Sequence, residues 1–229
     1  MCNPGHDAVA PGARQRNHRL AQLDHTIVGC TACPRLVEWR SDVAEPGYWG
    51  RPVPGFGPSD ARIYVLGLAT AAHGGNRTGR AFSGNPTADL LVRVLHANAL
   101  ANQPTSTGPG DGLELRQVRL GSAVRCPPPA NRPTALERNT CAPFLREELD
   151  LLGELRVVLA LGGFAWTAAA RLLDIRPRPR FGHGAEADAG RLTLLGSYHP
   201  SRQNTSTGVL TAAMLDTVVR RARVLAGLR

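Results

Sequence analysis

Apolar residues fall along this chain in two alternating patterns. Short, nearly continuous runs such as "RIYVLG" (Arg62–Gly67) are rich in β-formers and end in glycine, as buried parallel strands do. Longer stretches repeat with a helical period. In "PTADLLVRVLHANAL", Leu90 pairs with Val94 and Leu91 with Leu95 at i,i+4 spacing. "ANQPTSTGPGDG" reads as a surface loop. The same alternation continues. "RQVRLGSAV" predicts a second strand, "ALERNTCAPFLREELDLL" a helix, "RVVLALGG" a third strand and "FAWTAAARLL" another helix. "RPRPRFGHGAEADAG" reads as a polar loop, and "RLTLLGSYHP" as a fourth strand stopped by proline. "TGVLTAAMLDTVVRRARVLAGL" is a last helix with Leu210, Met214 and Val218 facing inward. Strands that alternate with helices predict an α/β fold: one domain, residues 19–229, with a central four-stranded parallel sheet flanked by helices. Residues 1–18 read as a polar, poorly ordered tail.

The unusual residues gather where strands end. "GLATAAHGGNRTGRAFSGN" (Gly67–Asn85), "CPPPANRP" (Cys126–Pro133) and "YHPSRQN" (Tyr198–Asn204) each follow a predicted strand. Open α/β sheets bind ligands at that edge. The first segment is glycine-rich, as anion-cradling loops are, yet contains no Asp or Glu.

Composition narrows the partner. The chain has 229 residues, a formal net charge of +9 and a pI near 10.5. All 27 basic side chains are arginine. A GC-rich genome accounts for that bias, but the consequence is physical: many planar, phosphate-matching donors point to a nucleic-acid partner. Without lysine, no side chain forms a Schiff base, which excludes lyase and pyridoxal chemistry built on one. No apolar run reaches the length of a membrane span, and the N-terminus lacks the apolar core of a secretory signal. A cytoplasmic, nucleoid-associated protein with no membrane partner is expected.

Five cysteines are present. Cys30 and Cys33 form a C-x-x-C pair; Cys126 and Cys141 lie far downstream, and Cys2 reads as a free thiol in the tail. Disulfides do not suit a cytosolic chain, and the C-x-x-C lacks a thioredoxin-like strand-to-helix setting. A four-thiolate metal site fits best, with zinc and iron–sulfur not separable by spacing.

Taken together, "GLATAAHGGNRTGRAFSG", "AVRCPPPANRP", "SYHPSRQNTSTG" and the four spaced cysteines resemble the iron–sulfur uracil-DNA glycosylases. The "HGGNRTGR" and "HPSRQNT-TG" forms are similar to those of the family 5 type, and the resemblance runs from Cys30 to the last helix. It implies a structural 4Fe-4S cluster on Cys30, Cys33, Cys126 and Cys141. It also implies removal of uracil and related deaminated bases from DNA.

Such chemistry needs a pocket for an extruded base and charge stabilisation as the glycosidic bond breaks. His199 can donate to O2 of the leaving pyrimidine anion. Asn131, and Asn85, can hold the attacking water. Gly67, Leu68 and Ala69 bring backbone close to the nucleotide, Phe82 offers a stacking face, and Ser122, His73 and Asn76 line the pocket. Arg77 and Arg80 reach phosphates or tie the loop to the protein. Ser201, Arg202, Gln203 and Asn204 belong to the loop that enters the DNA groove in this family, and the same stretch can cap the last helix through Thr205, Ser206 or Thr207. A turn-stabilising role is the simpler alternative for Asn131, and solvent for His183.

The chain departs from its relatives at three points. Leu68 stands where another branch carries the Glu of G-E-A-P-G, Asn85 where some family 5 members carry Asp, and Ser122 where relatives read pyrimidines with Asn. Asp89, one helical turn on, is a candidate replacement acid. The expected enzyme is a monofunctional, monomeric glycosylase with broad base tolerance, extending to hypoxanthine and modified uracils. Its expected partner is double-stranded DNA, with single-stranded DNA a further candidate. The rival readings are a module that binds damaged or abasic DNA without efficient excision, a relative that cross-links to the sugar, and a zinc-stabilised hydrolase.

Overall fold

Strands β1 (Ile63–Ala69) and β2 (Val118–Val124) are covered on both faces, so neither alternates between buried and exposed positions; β1 runs apolar, and β2 buries Arg119 and Ser122 among its apolar residues. The computed structural model describes residues 11–229. Before β1 lie α1 (Pro11–Val28) and α2 (Pro34–Asp42). Between β1 and β2 come the one-turn α3 (Gly75–Thr78) and α4 (Pro86–Ala97). The chain continues through α5 (Ala135–Leu151), β3 (Val157–Leu161), α6 (Gly163–Leu172), β4 (Glu186–Ala189) and β5 (Leu192–Ser197). It ends with α7 (Arg202–Ser206) and α8 (Ala212–Leu225).

The sheet order is β2-β1-β3-β5-β4, parallel except where β4 runs antiparallel to β5. One apolar layer contains residues of α1, α5 and α6; the other contains residues of α4 and α8. The α4 crossover carries the chain from β1 to one side. The α5 crossover, over the opposite face, returns it past β1 to β3. The crevice between the C-terminal ends of β1 and β3 is therefore the topological switch point, where such sheets bind ligands.

Three expectations need correction. The sheet has five strands, not four, because β4 lies inside the stretch expected to be a polar loop. Its "EADA" turns both acids outward and presents only alanines to the protein, a composition that carries no strand signal. Residues 11–18, expected as tail, form the first turns of α1, while Cys2 and the rest of residues 1–10 lie outside the described residues. Leu20, Leu23 and Ile27 are the buried stripe that anchors α1. Finally, Thr211 caps α8, accepting from Met214 N, and Ser201 caps the separate α7, so none of Thr205–Thr207 caps the last helix: the first two lie within α7 and Thr207 is its C-cap.

Beneath the sheet edge sits a buried ionic network. Glu148 of α5 is fully buried and accepts from Arg119 Nε at 2.7 Å, from Tyr64 Oη at 2.7 Å and from Arg125. Arg119 also donates to the Gly57 and Gly55 carbonyls. Two glycines make room for it. A methyl group at Gly55 would lie 1.8 Å from Glu148 Oε1, and one at Gly121 would lie 1.9 Å from Tyr64 Oη. Removing the carboxylate leaves Arg125 buried without a counter-charge and Arg119 with only a 3.5 Å pair to Asp24. Glu148→Leu is therefore expected to cost about 3–5 kcal/mol and lower the thermal midpoint by roughly 10 °C. A calorimetric midpoint within about 2 °C of the parent would contradict this assignment.

Candidate active site

The end of β1 leads straight into the glycine-rich loop. Gly67 pairs in register with Ser122 on β2, and a methyl group at Gly67 would lie 2.7 Å from Phe82 Cζ and 3.5 Å from Ser122 Oγ. Gly67, Phe82 and Ser122 therefore meet at one point, and only a residue without Cβ leaves the ring its place. Phe82 has a left-handed φ of 52° and is half-buried, packed against the α4-side core. Leu68 and Ala69 follow on the strand, both half-buried.

The rest of the loop is locked from within. Arg80 is 6% exposed and forms a bidentate pair with Asp111, at 2.8 and 2.5 Å. It also donates to Ser106 and lies 4.8 Å from the Phe56 ring centroid. The pairing with Arg80 holds the Asp111 carboxyl well below the ordinary carboxylate range. Arg80 is thus the loop's anchor, the second of its two expected roles, and its place among the residues expected to touch DNA is corrected. Arg77 is exposed and bends back to the Gly84 carbonyl at 2.6 Å. Asn76 is fully buried and donates to Arg40 O, so it fastens the loop to α2 rather than facing a pocket. Asn85 is the N-cap of α4. Its Oδ1 accepts from Ala88 N at 3.0 Å and its amide faces Ser83 O, which commits the oxygen expected to hold a water. Asp89 lies in the exposed first turn beyond it.

Across the crevice, β5 ends in the segment carrying His199. The Cβ of this residue lies 3.3 Å from where a methyl group on Gly162, at the end of β3, would stand. Asn204 donates to the His199 carbonyl at 2.9 Å, and Ser201 Oγ accepts from Asn204 N. Ser201 and Asn204 therefore hold the histidine's backbone, while Arg202 and Gln203 remain exposed. Burial pushes the His199 pKa down to about 4, so the imidazole is neutral at physiological pH. Behind it, His183 Nδ1 accepts from Tyr198 N, and its ring lies 5.1 Å from the Tyr198 ring. Asn131 is exposed with a left-handed φ of 55°, a conformation Asn tolerates well.

Two neighbours were not anticipated. Tyr48 Oη lies 3.0 Å from Nδ1 of the exposed His73, and Trp49 packs where a Gly79 side chain would stand. Both aromatics sit in "PGYWGRPVPGFGP", whose Gly/Pro content signals irregular backbone but gives no sign of the loop it supports. Gly162 was hidden because one glycine after a strand is ordinary.

The cysteines converge on the other flank. Cys30, Cys33, Cys126 and Cys141 line one cavity together with Leu36, Arg40 and Phe144. Cys30 follows α1, Cys33 precedes α2, Cys126 follows β2 and Cys141 lies on α5. Arg40 donates to Cys126 Sγ at 3.2 Å and Arg125 N to Cys141 Sγ at 3.4 Å. Burial pushes the Cys126 thiol up to about 11, with Arg40 opposing.

A parallel sheet with a switch-point crevice, bordered by a half-buried aromatic on one loop and a histidine on the other, has the architecture of an α/β enzyme that binds its ligand at the strand ends. The uracil DNA glycosylase superfamily model matches residues 54–223. A type-5 uracil-DNA glycosylase of Mycobacterium bovis is 48% identical over 221 residues, covering 91% of this chain and 82% of its own. Others from Mycobacterium leprae (48%, covering 91% and 96%) and Thermus thermophilus (47%, covering 89% and 96%) are similarly close. The chain belongs to the uracil-DNA glycosylase superfamily and, within it, to the type-5 uracil-DNA glycosylases.

The cap at Asn85 can be separated from any part in the chemistry. Asn85→Ala is expected to lose about 1 kcal/mol in urea unfolding, whereas Asn85→Asp, an equally good cap, keeps it. Unchanged stability in Asn85→Ala would release this side chain from the cap and return it to the substrate.

Proposed function

We propose that the protein hydrolyses the N-glycosidic bond of uracil in DNA and leaves an abasic site without cutting the strand. The observation that carries the reading is His199 held against Gly162 at the end of β3, across from a loop that has no carboxylate; its burial lowers the imidazole pKa. An extruded base would stack on Phe82 near Gly67 and Ser122. As the bond breaks, positive charge builds on the sugar and negative charge on the base. A neutral imidazole donates an N–H to the base oxygen, where a preformed donor counts most. Water then meets an oxocarbenium ion already reactive enough to need little help from a general base. Leu68 cannot supply that help, and Asn85 is occupied as a cap. Asn131, exposed and without a side-chain partner among the described residues, remains free to orient the water.

Ser122 offers the base one short hydroxyl. A hydroxyl discriminates base edges less sharply than an amide, which supports tolerance of hypoxanthine and modified uracils. For the cofactor, the four cysteines would hold a 4Fe-4S cluster. The donor set supports this. Four thiols line one cavity, the ligand number that a 4Fe-4S cluster takes. Its chemistry here would be to cross-link α1, α2, β2 and α5 by iron–thiolate bonds, away from the base.

A panel of duplexes carrying uracil, hypoxanthine, xanthine or modified uracils tests the function. Free base should be released from uracil DNA, and from several of the others at lower rates. His199→Ala should lower single-turnover excision by about 10²–10³-fold with no loss of stability. Full activity in that variant would overturn the assignment, and a folded protein that binds but never releases base would favour a damage-binding module.

A further inference from the structure

Beside the crevice, the groove between α5 and α6 is lined by Arg138, Arg146 and Arg171 over an apolar floor, with no carboxylate among its lining residues. The Arg138 guanidinium sits 6.0 Å from the Phe164 ring, two residues past Gly162. Burial holds its pKa below the ordinary arginine value, and the nearby charges of Arg171 and Arg178 lower it further, so three like charges crowd together.

"RPRPRF" (Arg176–Phe181) supplies the rest of this ridge, and it is held rigidly. Trp166 of α6 donates its indole N–H to Pro179 O at 2.9 Å. Phe181 packs against Gly163 and lies 6.1 Å from the rings of both Trp166 and Tyr198. Tyr198 directly precedes His199. Arg178 and Arg180 are thereby exposed on a pinned backbone beside the active-site edge. Among the described residues, Arg138, Arg171, Arg178 and Arg180 have no ion-pair partner; Arg176 alone in this stretch is paired, with Asp174.

Like charges concentrated this way destabilise the protein by self-repulsion unless a polyanion covers them. We propose that this ridge is a sequence-independent contact for the phosphate backbone of duplex DNA flanking the lesion. The proposal rests on the reading of the site as a DNA glycosylase and adds the surface that grips undamaged flanking DNA. The ten-residue α6 is about 15 Å long, over which one strand presents about four phosphates. Planar guanidiniums fixed in place lose little entropy on meeting phosphates. Continuity with Tyr198 and His199 favours DNA over an acidic protein.

The test is binding of a fluorescent, undamaged duplex between about 50 and 200 mM salt. The triple variant Arg171→Gln, Arg178→Gln, Arg180→Gln is compared with the corresponding triple lysine variant, and both are checked for a melting midpoint no lower than the parent's. The glutamine variant should show a slope of log K against log salt shallower by about 2–3, and lysine should restore it. An unchanged slope in the folded glutamine variant overturns the proposal. So does capture of a polyglutamate peptide that the glutamine variant loses while its DNA slope is unchanged, which would assign the face to an acidic protein. No excision occurs in this assay, so failure of the ridge and failure of the glycosylase reading are read separately.

Discussion

Glu148 has no access to water, and the architecture around the site converges on it. Its oxygens accept from Arg119 and Arg125 of the β2 region and from Tyr64 of β1. Arg125 directly precedes Cys126, and Cys141 lies two turns before Glu148 on α5. The ion pair therefore fixes the spacing between the two buried thiols. Through Tyr64 it also fixes β1, the strand that carries Gly67 and leads into the glycine-rich loop. A buried carboxylate with two guanidiniums is costly to desolvate and is retained only when closely satisfied. Here satisfaction is nearly complete on the acid and incomplete on Arg125, whose Nε and Nη1 have no partner. The glycines at positions 55 and 121 follow from the same constraint, since any side chain there would occupy the network's space.

With that frame in place, the crevice needs few moving parts. Arg80, Asn76 and Asn85 spend their polar groups holding the first loop, and Ser201 and Asn204 hold the second. At the strand ends that border the crevice the chain places Gly67, Ser122 and Phe82 together on one side and His199 beside Gly162 on the other. The lack of a carboxylate in the loop is consistent with this division of labour. A nearby carboxylate would favour an imidazolium; here, burial alone acts on His199 and keeps it neutral.

Much of this was legible in the residues. Four of the five strands and the crossover helices announced themselves by periodicity, because burial on both faces leaves no polar alternation. The three loops fall at the strand ends that this pattern placed; the four cysteines, which share one cavity, and His199 were singled out by motif and spacing instead. The failures share a cause. β4 buries nothing larger than alanine, so it has no pattern to read. The roles of Arg77 and Arg80 are indistinguishable in sequence and are separated only by Asp111, thirty-one residues from Arg80. Asn85 looked chemical because caps and catalytic amides use the same side chain, and only the position of Ala88 N decides between them. Trp49 and Gly162 act through packing, and Tyr48 through a hydrogen bond to His73 far along the chain, neither of which leaves a local signature.

The central claim is that a neutral imidazole carries the charge stabilisation in a site whose loop has no acid. The direct measurement is a pH titration of the His199 ring nitrogens by NMR, in protein labelled on histidine and with His199→Gln assigning the signal. The account predicts a ring that stays neutral from pH 8 down through pH 5 and takes up its proton near pH 4. A midpoint at or above the ordinary histidine value of about 6.5 would contradict it.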